Sequence, residues 1–488
     1  MIRHTRFPGL RARFGVSRWD ITPGLDVCAK NWGASDRWFA RGIHRPLTGT
    51  ALAIGDGSAP PLLLISLDLG WWRARADADR LRLALCDALS LPEENLIVHL
   101  THTHAGPMLD SAPPPEANPQ ATAAYLDELR TACIAGAKAA LDDLRESTLL
   151  FHTGACGLAT PRDFPDPGDP QRFLTGFHPD ASADDRLVVA RVFDDANRTR
   201  ATLVNYACHP TTLAWDNDLV SPDFPGAMRE MIEGCTDAPC LFLQGASGEL
   251  APCEQYVGDT ATADRHGRAL GHAAMALLEM LAPGNAETVY SGALESGAPL
   301  ALWSPAAGEL PQTLSAQAPA VELPLKPDLP GLEEIRARMA ESSSGFGYER
   351  LVRQLRVRES VGDGATSAER IWVWKLGAGG LVGVPFEAYS VFQRELRAEC
   401  PHLLVLNIAN GHLGYLPPAP LYRGPSLYTV WQTPYAEGSL EAVTDLAKKS
   451  LNLLINLAVT GGGQDARATW PGHPARSLQT KISLSGLK

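Results

Sequence analysis

The segment Leu100-Thr-His-Thr-His-Ala-Gly-Pro107 sets two imidazoles two residues apart, just ahead of a Gly-Pro break. In a strand, His102 and His104 would project from one face, because side chains alternate with period two. Two neighbouring imidazoles can bind Zn²⁺ together, or one can bind while the other serves as acid, base or electrophile. A pair of hydrogen-bonded structural histidines at a loop entrance is the alternative. His209 ends the strand-like run Val204–Cys208, and Pro210 stops the ladder there. Taken alone, His209 reads as a buried structural residue. Ser221-Pro-Asp-Phe-Pro-Gly226 then opens a helix, with Asp223 better placed to cap it than to support a metal ligand.

The run Cys240–Gln244 leads into Gly245-Ala-Ser-Gly-Glu249, a near miss to the Gly-x-Ser-x-Gly nucleophile elbow. A tight turn at a strand end is the better reading of Ser247. Glu387 lies just beyond an apolar strand, and Tyr415 lies in a glycine-rich turn after Asn407. Spacing singles out neither. His266 and His272 are six apart on a helix and do not share a face. His44, His152, His178 and His412 stand singly and receive no chemistry, while Trp71, Trp72, Trp372 and Trp374 read as core.

Strand-like segments and helices alternate through the first two thirds of the chain. Pro61–Leu67, Asn95–Thr101, Leu187–Phe193, Ala201–Ala207 and Cys240–Gln244 read as strands. Helices are expected at Ala74–Leu89, Ala121–Leu144, Pro225–Glu233 and Thr262–Leu281. Further strands at Ile371–Leu376 and Leu403–Asn407 precede a final helix near Ser439–Leu457. The pattern predicts an α/β fold with layered mixed sheets flanked by helices. Residues 298–364 break the rhythm with Pro, Ser, Ala and Gly, and read as an insertion or lid.

The 488 residues are 45% apolar and 20% charged, enough to bury a large core. A net charge of −12 argues against a nucleic-acid surface. The longest apolar stretches, Pro61–Leu67 and Leu451–Val459, fall short of the roughly 20 residues a membrane span needs. Nine dispersed cysteines without a Cys-x-x-Cys spacing, and basic first residues with no apolar run behind them, fit a soluble cytoplasmic protein.

Together, Gly15-Val-Ser-Arg-Trp-Asp-Ile-Thr-Pro23, Gly42-Ile-His-Arg-Pro46, Thr101-His-Thr-His-Ala-Gly-Pro107 and Asn205-Tyr-Ala-Cys-His-Pro-Thr211 resemble the neutral/alkaline (non-lysosomal) ceramidases. Val384-Pro-Phe-Glu387, Gly414-Tyr-Leu-Pro417 and Val430-Trp-Gln-Thr-Pro434 extend the resemblance in order and spacing. It implies a zinc amidase acting on an N-acyl bond, with His102, His209, Glu387 and Tyr415 as Zn²⁺ ligands. His104 would stand beside the metal. Arg162, in Thr160-Pro-Arg-Asp163, and Tyr428 match family active-site residues more loosely.

The chain departs from the family at Gly248-Glu-Leu-Ala-Pro-Cys253, where the family serine position is Ala251. The family's C-terminal immunoglobulin-like domain would need about 100 residues, against roughly 30 beyond the last family-like helix. The expectation is one hydrolase domain over 1–460 and a loosely ordered tail over 461–488. Its substrate would be an N-acyl compound, lipid-like or smaller and more soluble than ceramide, cleaved by water. Rival readings are a hydrolase using Ser247 as nucleophile, or a non-catalytic zinc-binding relative.

Overall fold

Eight strands form the larger of two central sheets. From edge to edge they are Cys240–Gln244, Thr199–Tyr206, Arg186–Asp194, Arg145–Ala155, Gly9–Asp20, Thr48–Gly55, Leu62–Leu67 and Leu96–Leu100. The two outermost pairs are parallel and the inner ones antiparallel, so the sheet is mixed. A second sheet orders Leu314–Gln317, Trp372–Leu376, Gly379–Gly383 and Leu403–Leu406, with its last pair parallel. This computed structural model describes residues 2–341 and 345–461.

Period-two alternation decides the layering. Leu62 and Leu64 face the second sheet, where they join Phe151, Leu203 and Leu241 in a core with Trp372, Trp374 and Leu404. Leu63, Ile65 and Leu67 point the other way, against α1 (Arg75–Leu89) and α2 (Pro119–Asp142). The other half of that face packs on α3 (Phe224–Thr236) and α4 (Thr260–Leu278) through Val189, Val204, Phe224, Met228 and Leu270. Asp223 does cap α3, accepting a hydrogen bond from the Phe224 amide at 2.6 Å.

The far face of the second sheet is covered later in the chain. There Val382, Leu403 and Val405 meet residues of α7 (Ser390–Glu399) and α8 (Ser439–Gly461). The result is a four-layer helix–sheet–sheet–helix sandwich, the α/β architecture expected from the alternation. Strands sandwiched this way are apolar on both faces, which explains why Leu62–Leu67 reads as a continuous run.

Part of the expected 298–364 insertion belongs to the sandwich, because Leu314–Gln317 is an edge strand of the second sheet. The rest supplies a hairpin arm, a strand at Ala320–Pro324, and helices α5 (Leu332–Glu341) and α6 (Gly345–Val361). The expected tail beyond Gly461 lies outside the described residues. No helix among the described residues is long and apolar enough to cross a membrane. All nine cysteines are free, and seven are buried.

Candidate metal centre

The centre forms where loops leave neighbouring strand ends of the two sheets. The strand Leu96–Leu100 stops before the histidine pair, so alternation along a strand is not what brings His102 and His104 together. His102 instead adopts a left-handed backbone conformation, φ 72°. Its amide donates to Leu69 O at 2.8 Å, and its Nδ1 donates to Gly70 O at 3.1 Å. A side chain at Gly70 would strike Thr103 O, since a Cβ there would lie 2.8 Å from it. The turn that holds His102 therefore needs glycine.

His209 lies three residues beyond the strand Thr199–Tyr206. Its amide and its Nδ1 both donate to Leu250 O, at 2.9 and 3.1 Å. Its Nε2 lies 2.9 Å from Glu387 Oε2, and that of His102 lies 3.3 Å from the same oxygen. Glu387 and Tyr415 are paired residues of two short parallel strands, Glu387–Ala388 and Tyr415–Leu416. The three imidazoles of His102, His104 and His209 offer nitrogen atoms all within 4.8 Å of one another.

The tautomers matter here. Burial holds His209 down to about 3, so its ring is neutral. A neutral ring that donates from Nδ1 turns a lone pair through Nε2 towards the Glu387 carboxylate. His102 is held by the same kind of bond to a backbone carbonyl. Two imidazole lone pairs and a carboxylate thus converge, which is a donor set suited to a divalent cation. His102 Nε2 and both ring nitrogens of His104 are buried without a hydrogen-bond partner among the described residues, as a coordinating centre would leave them.

Arg162 closes one side. Its Nη2 reaches Gly248 O at 2.9 Å and both His209 Nε2 and Tyr415 Oη at 3.1 Å. Gly248 has no room for a Cβ, which would lie 2.9 Å from Glu387 O. Burial, then the Glu387 charge, push the Tyr415 phenol well above its ordinary value. The Tyr428 ring is 5.6 Å from that of Tyr415, and its oxygen accepts from Arg353 Nη1 at 3.0 Å. His104 lies between the indoles of Trp71 and Trp32, at 4.8 and 5.0 Å between ring centres.

All seven residues singled out by the resemblance are therefore gathered in one place. His412, a single histidine with no expected role, joins them with its Nε2 2.9 Å from Glu387 Oε1. Its position three residues before Tyr415, between two glycines, was the available signal. Trp71, packed against the core as expected, also borders this centre, since its ring touches those of His102, His104 and His412. Ser247 does not fit a nucleophile. It is buried and accepts from Gln244 Nε2 at 2.6 Å, with no histidine in hydrogen-bond reach among the described residues. Ala251 is buried in a ladder, its carbonyl bonded by Thr160 Oγ1 at 3.0 Å.

Two solved structures share the arrangement of this chain. A ceramidase complexed with C2 aligns with a TM-score of 0.63 at 17% identity, covering 92% of this chain and 76% of that one. A neutral ceramidase from Pseudomonas aeruginosa aligns with a TM-score of 0.63 at 19% identity, covering 92% and 75%. This chain has the ceramidase fold. No protein-family model and no curated protein matches the sequence. At this identity the likeness establishes the fold and leaves the chemistry to the residues of the site.

Proposed function

We propose that the protein is a zinc-dependent hydrolase that cleaves an N-acyl amide bond with water. The observation that carries this reading is the convergence of His102 Nε2 and His209 Nε2 on the Glu387 carboxylate, each ring fixed from behind by a backbone carbonyl. His102, His209, Glu387 and Tyr415 would hold the ion, and His412 would orient the carboxylate. When bound, Zn²⁺ supplies polarisation of the acyl carbonyl and acidification of water. The choice of an amide is supported by the fold shared with ceramidases, and the water route by Ala251, which offers no hydroxyl.

The surrounding residues supply the rest. His104, held neutral by burial and with both ring nitrogens unengaged, can donate one N–H to the oxygen that gains charge during attack. Tyr428 accepts from Arg353 and from Gln432 Nε2, which leaves its own proton free to donate to the same oxygen. Arg162 steadies Tyr415 and adds positive charge. From the 298–364 segment, α6 reaches this centre through Arg353. Dispersed free cysteines fit a reducing compartment, and we place the activity in the cytoplasm.

The test pairs metal analysis with turnover of a panel of N-acyl amides, ceramide included. One equivalent of zinc, with hydrolysis lost on chelation and restored by zinc, is expected. Hydrolysis that survives complete removal of metal would overturn the reading.

A further inference from the structure

Next to the metal centre lies a group of positive side chains whose charge the proposed reaction does not use. The Arg73 guanidinium stacks on Trp71 at 4.5 Å, and Trp71 in turn touches His102, His104 and His412. Arg353 reaches the site from α6 through the Tyr428 oxygen. Among the described residues, neither Arg73 nor Arg353 forms an ion pair with a carboxylate. Arg73 Nη2 is held by the neutral Asn31 Oδ1 at 3.0 Å, while its Nε is buried with no partner.

The nearby acids are already engaged. Asp110 is gripped by Arg356 at 3.1 Å, and Glu349 lies 3.6 Å from Lys30. With Glu359 also paired to Arg356 at 3.3 Å, four cations face three carboxylates, in a protein whose overall charge is −12. Burial first, and then the charge of Arg353, hold Arg73 down to about 10, so it remains a cation at neutral pH. Two guanidiniums that repel each other, with Asp110 and Glu349 near but neither in a direct ion pair with them, form an arrangement that an oxyanion relieves through charge-assisted hydrogen bonds.

We propose that Arg73 and Arg353 form an anion-binding subsite beside the metal centre and select amide substrates that carry a carboxylate or similar oxyanion. This rests on the amidase reading and narrows its substrate class away from neutral, hydroxylated lipids. Arg353 would link selection to chemistry, because the same side chain holds Tyr428.

The experiment compares matched probes on the zinc-loaded protein. N-hexanoylglycine is set against N-hexanoylglycinamide, which places the charge on the amine half. Adipic acid monoamide is set against adipamide, which places it on the acyl half. In at least one pair, the charged probe is expected to have a kcat/KM at least tenfold higher, an advantage that shrinks as salt is raised. Arg73→Gln should bring that ratio close to one. The ratio is internal to each preparation, so partial misfolding cancels.

Equal rates within both pairs would overturn the subsite and leave the amidase reading intact. If neither probe of either pair is cleaved, calorimetric binding of the same four compounds decides the subsite alone. Tighter binding of a charged probe, lost in Arg73→Gln, would support it. Equal binding would overturn it.

Discussion

Glu387 and Tyr415 stand opposite one another in a parallel ladder only two residues long. The Glu387 amide donates to Gly414 O at 3.0 Å, and the Tyr389 amide to Leu416 O at 3.4 Å. Backbone pairing therefore sets the distance between a carboxylate and a phenol that lie 28 positions apart in sequence. Because the ladder is made by the main chain, side-chain exchange can remove a ligand without removing its frame.

Glu387→Gln should accordingly fold and lose metal. The amide keeps the volume and one acceptor but brings an NH₂ and no charge to face two imidazole lone pairs. Losing a supporting residue alone typically costs about 10–100-fold in metal affinity, and a direct ligand should cost at least as much. Equilibrium dialysis against zinc measures it. Wild-type affinity in the variant would remove Glu387 from the donor set.

Arg162→Lys tests a different component. The guanidinium binds Gly248 O, Tyr415 Oη and His209 Nε2 at once, which the single ammonium of lysine cannot reproduce. The expected outcome is a fall in kcat of about 10²–10³-fold, the range for losing one oxyanion donor, with zinc content retained. Joint loss of metal and activity would instead make Arg162 part of the ligand framework.

How much of this was legible in the sequence differs residue by residue. The Gly-Pro break after His104 and the proline after His209 marked strand ends, where sites form, and both histidines were found there. The left-handed turn at His102 left no comparable mark, so the reason the two imidazoles share a site came from the structure. Glu387 and Tyr415 needed a resemblance, because only pairing between distant segments brings them to the histidines. Arg73 and Arg353 were not legible at all, since a lone arginine looks the same whether or not its counter-ion exists. For the fold, alternation revealed strands and helices. It could not say that Leu62 and Leu63 face a sheet and a helix layer respectively, because both environments are apolar.

Stability should depend strongly on a buried pair at the start of the Asp68-Leu69-Gly70 turn. Asp68 is fully buried and accepts from Arg229 Nη1 at 2.6 Å, from the Thr48 amide at 2.8 Å and from Thr48 Oγ1 at 2.9 Å. Asp68→Asn would leave the guanidinium buried without its counter-charge. The expected loss is about 3–5 kcal/mol, visible as a lower midpoint in urea with an unchanged slope. A shift below 1 kcal/mol would show that solvent reaches Arg229.

The pH dependence of stability should carry the signature of Glu249. Its carboxylate accepts from the Ser390 amide at 3.0 and 2.9 Å and from the Ser390 hydroxyl, at the start of α7. Burial nevertheless pushes its pKa up from 4.5 to about 7, with the Ser390 bonds working against the rise. The folded state therefore binds a proton that the unfolded chain releases near pH 4.5. Between that pH and about 7 the folded form holds more protons, so stability must fall as pH rises, by at most about 1.4 kcal/mol per pH unit for one group. The opposite slope would apply to a carboxylate held below its ordinary value. Glu249→Gln keeps an acceptor for Ser390 and has no charge to desolvate, so its melting temperature should decline less than that of wild type between pH 5 and 7. Parallel curves would mean that water or a cation neutralises the Glu249 charge in the folded protein.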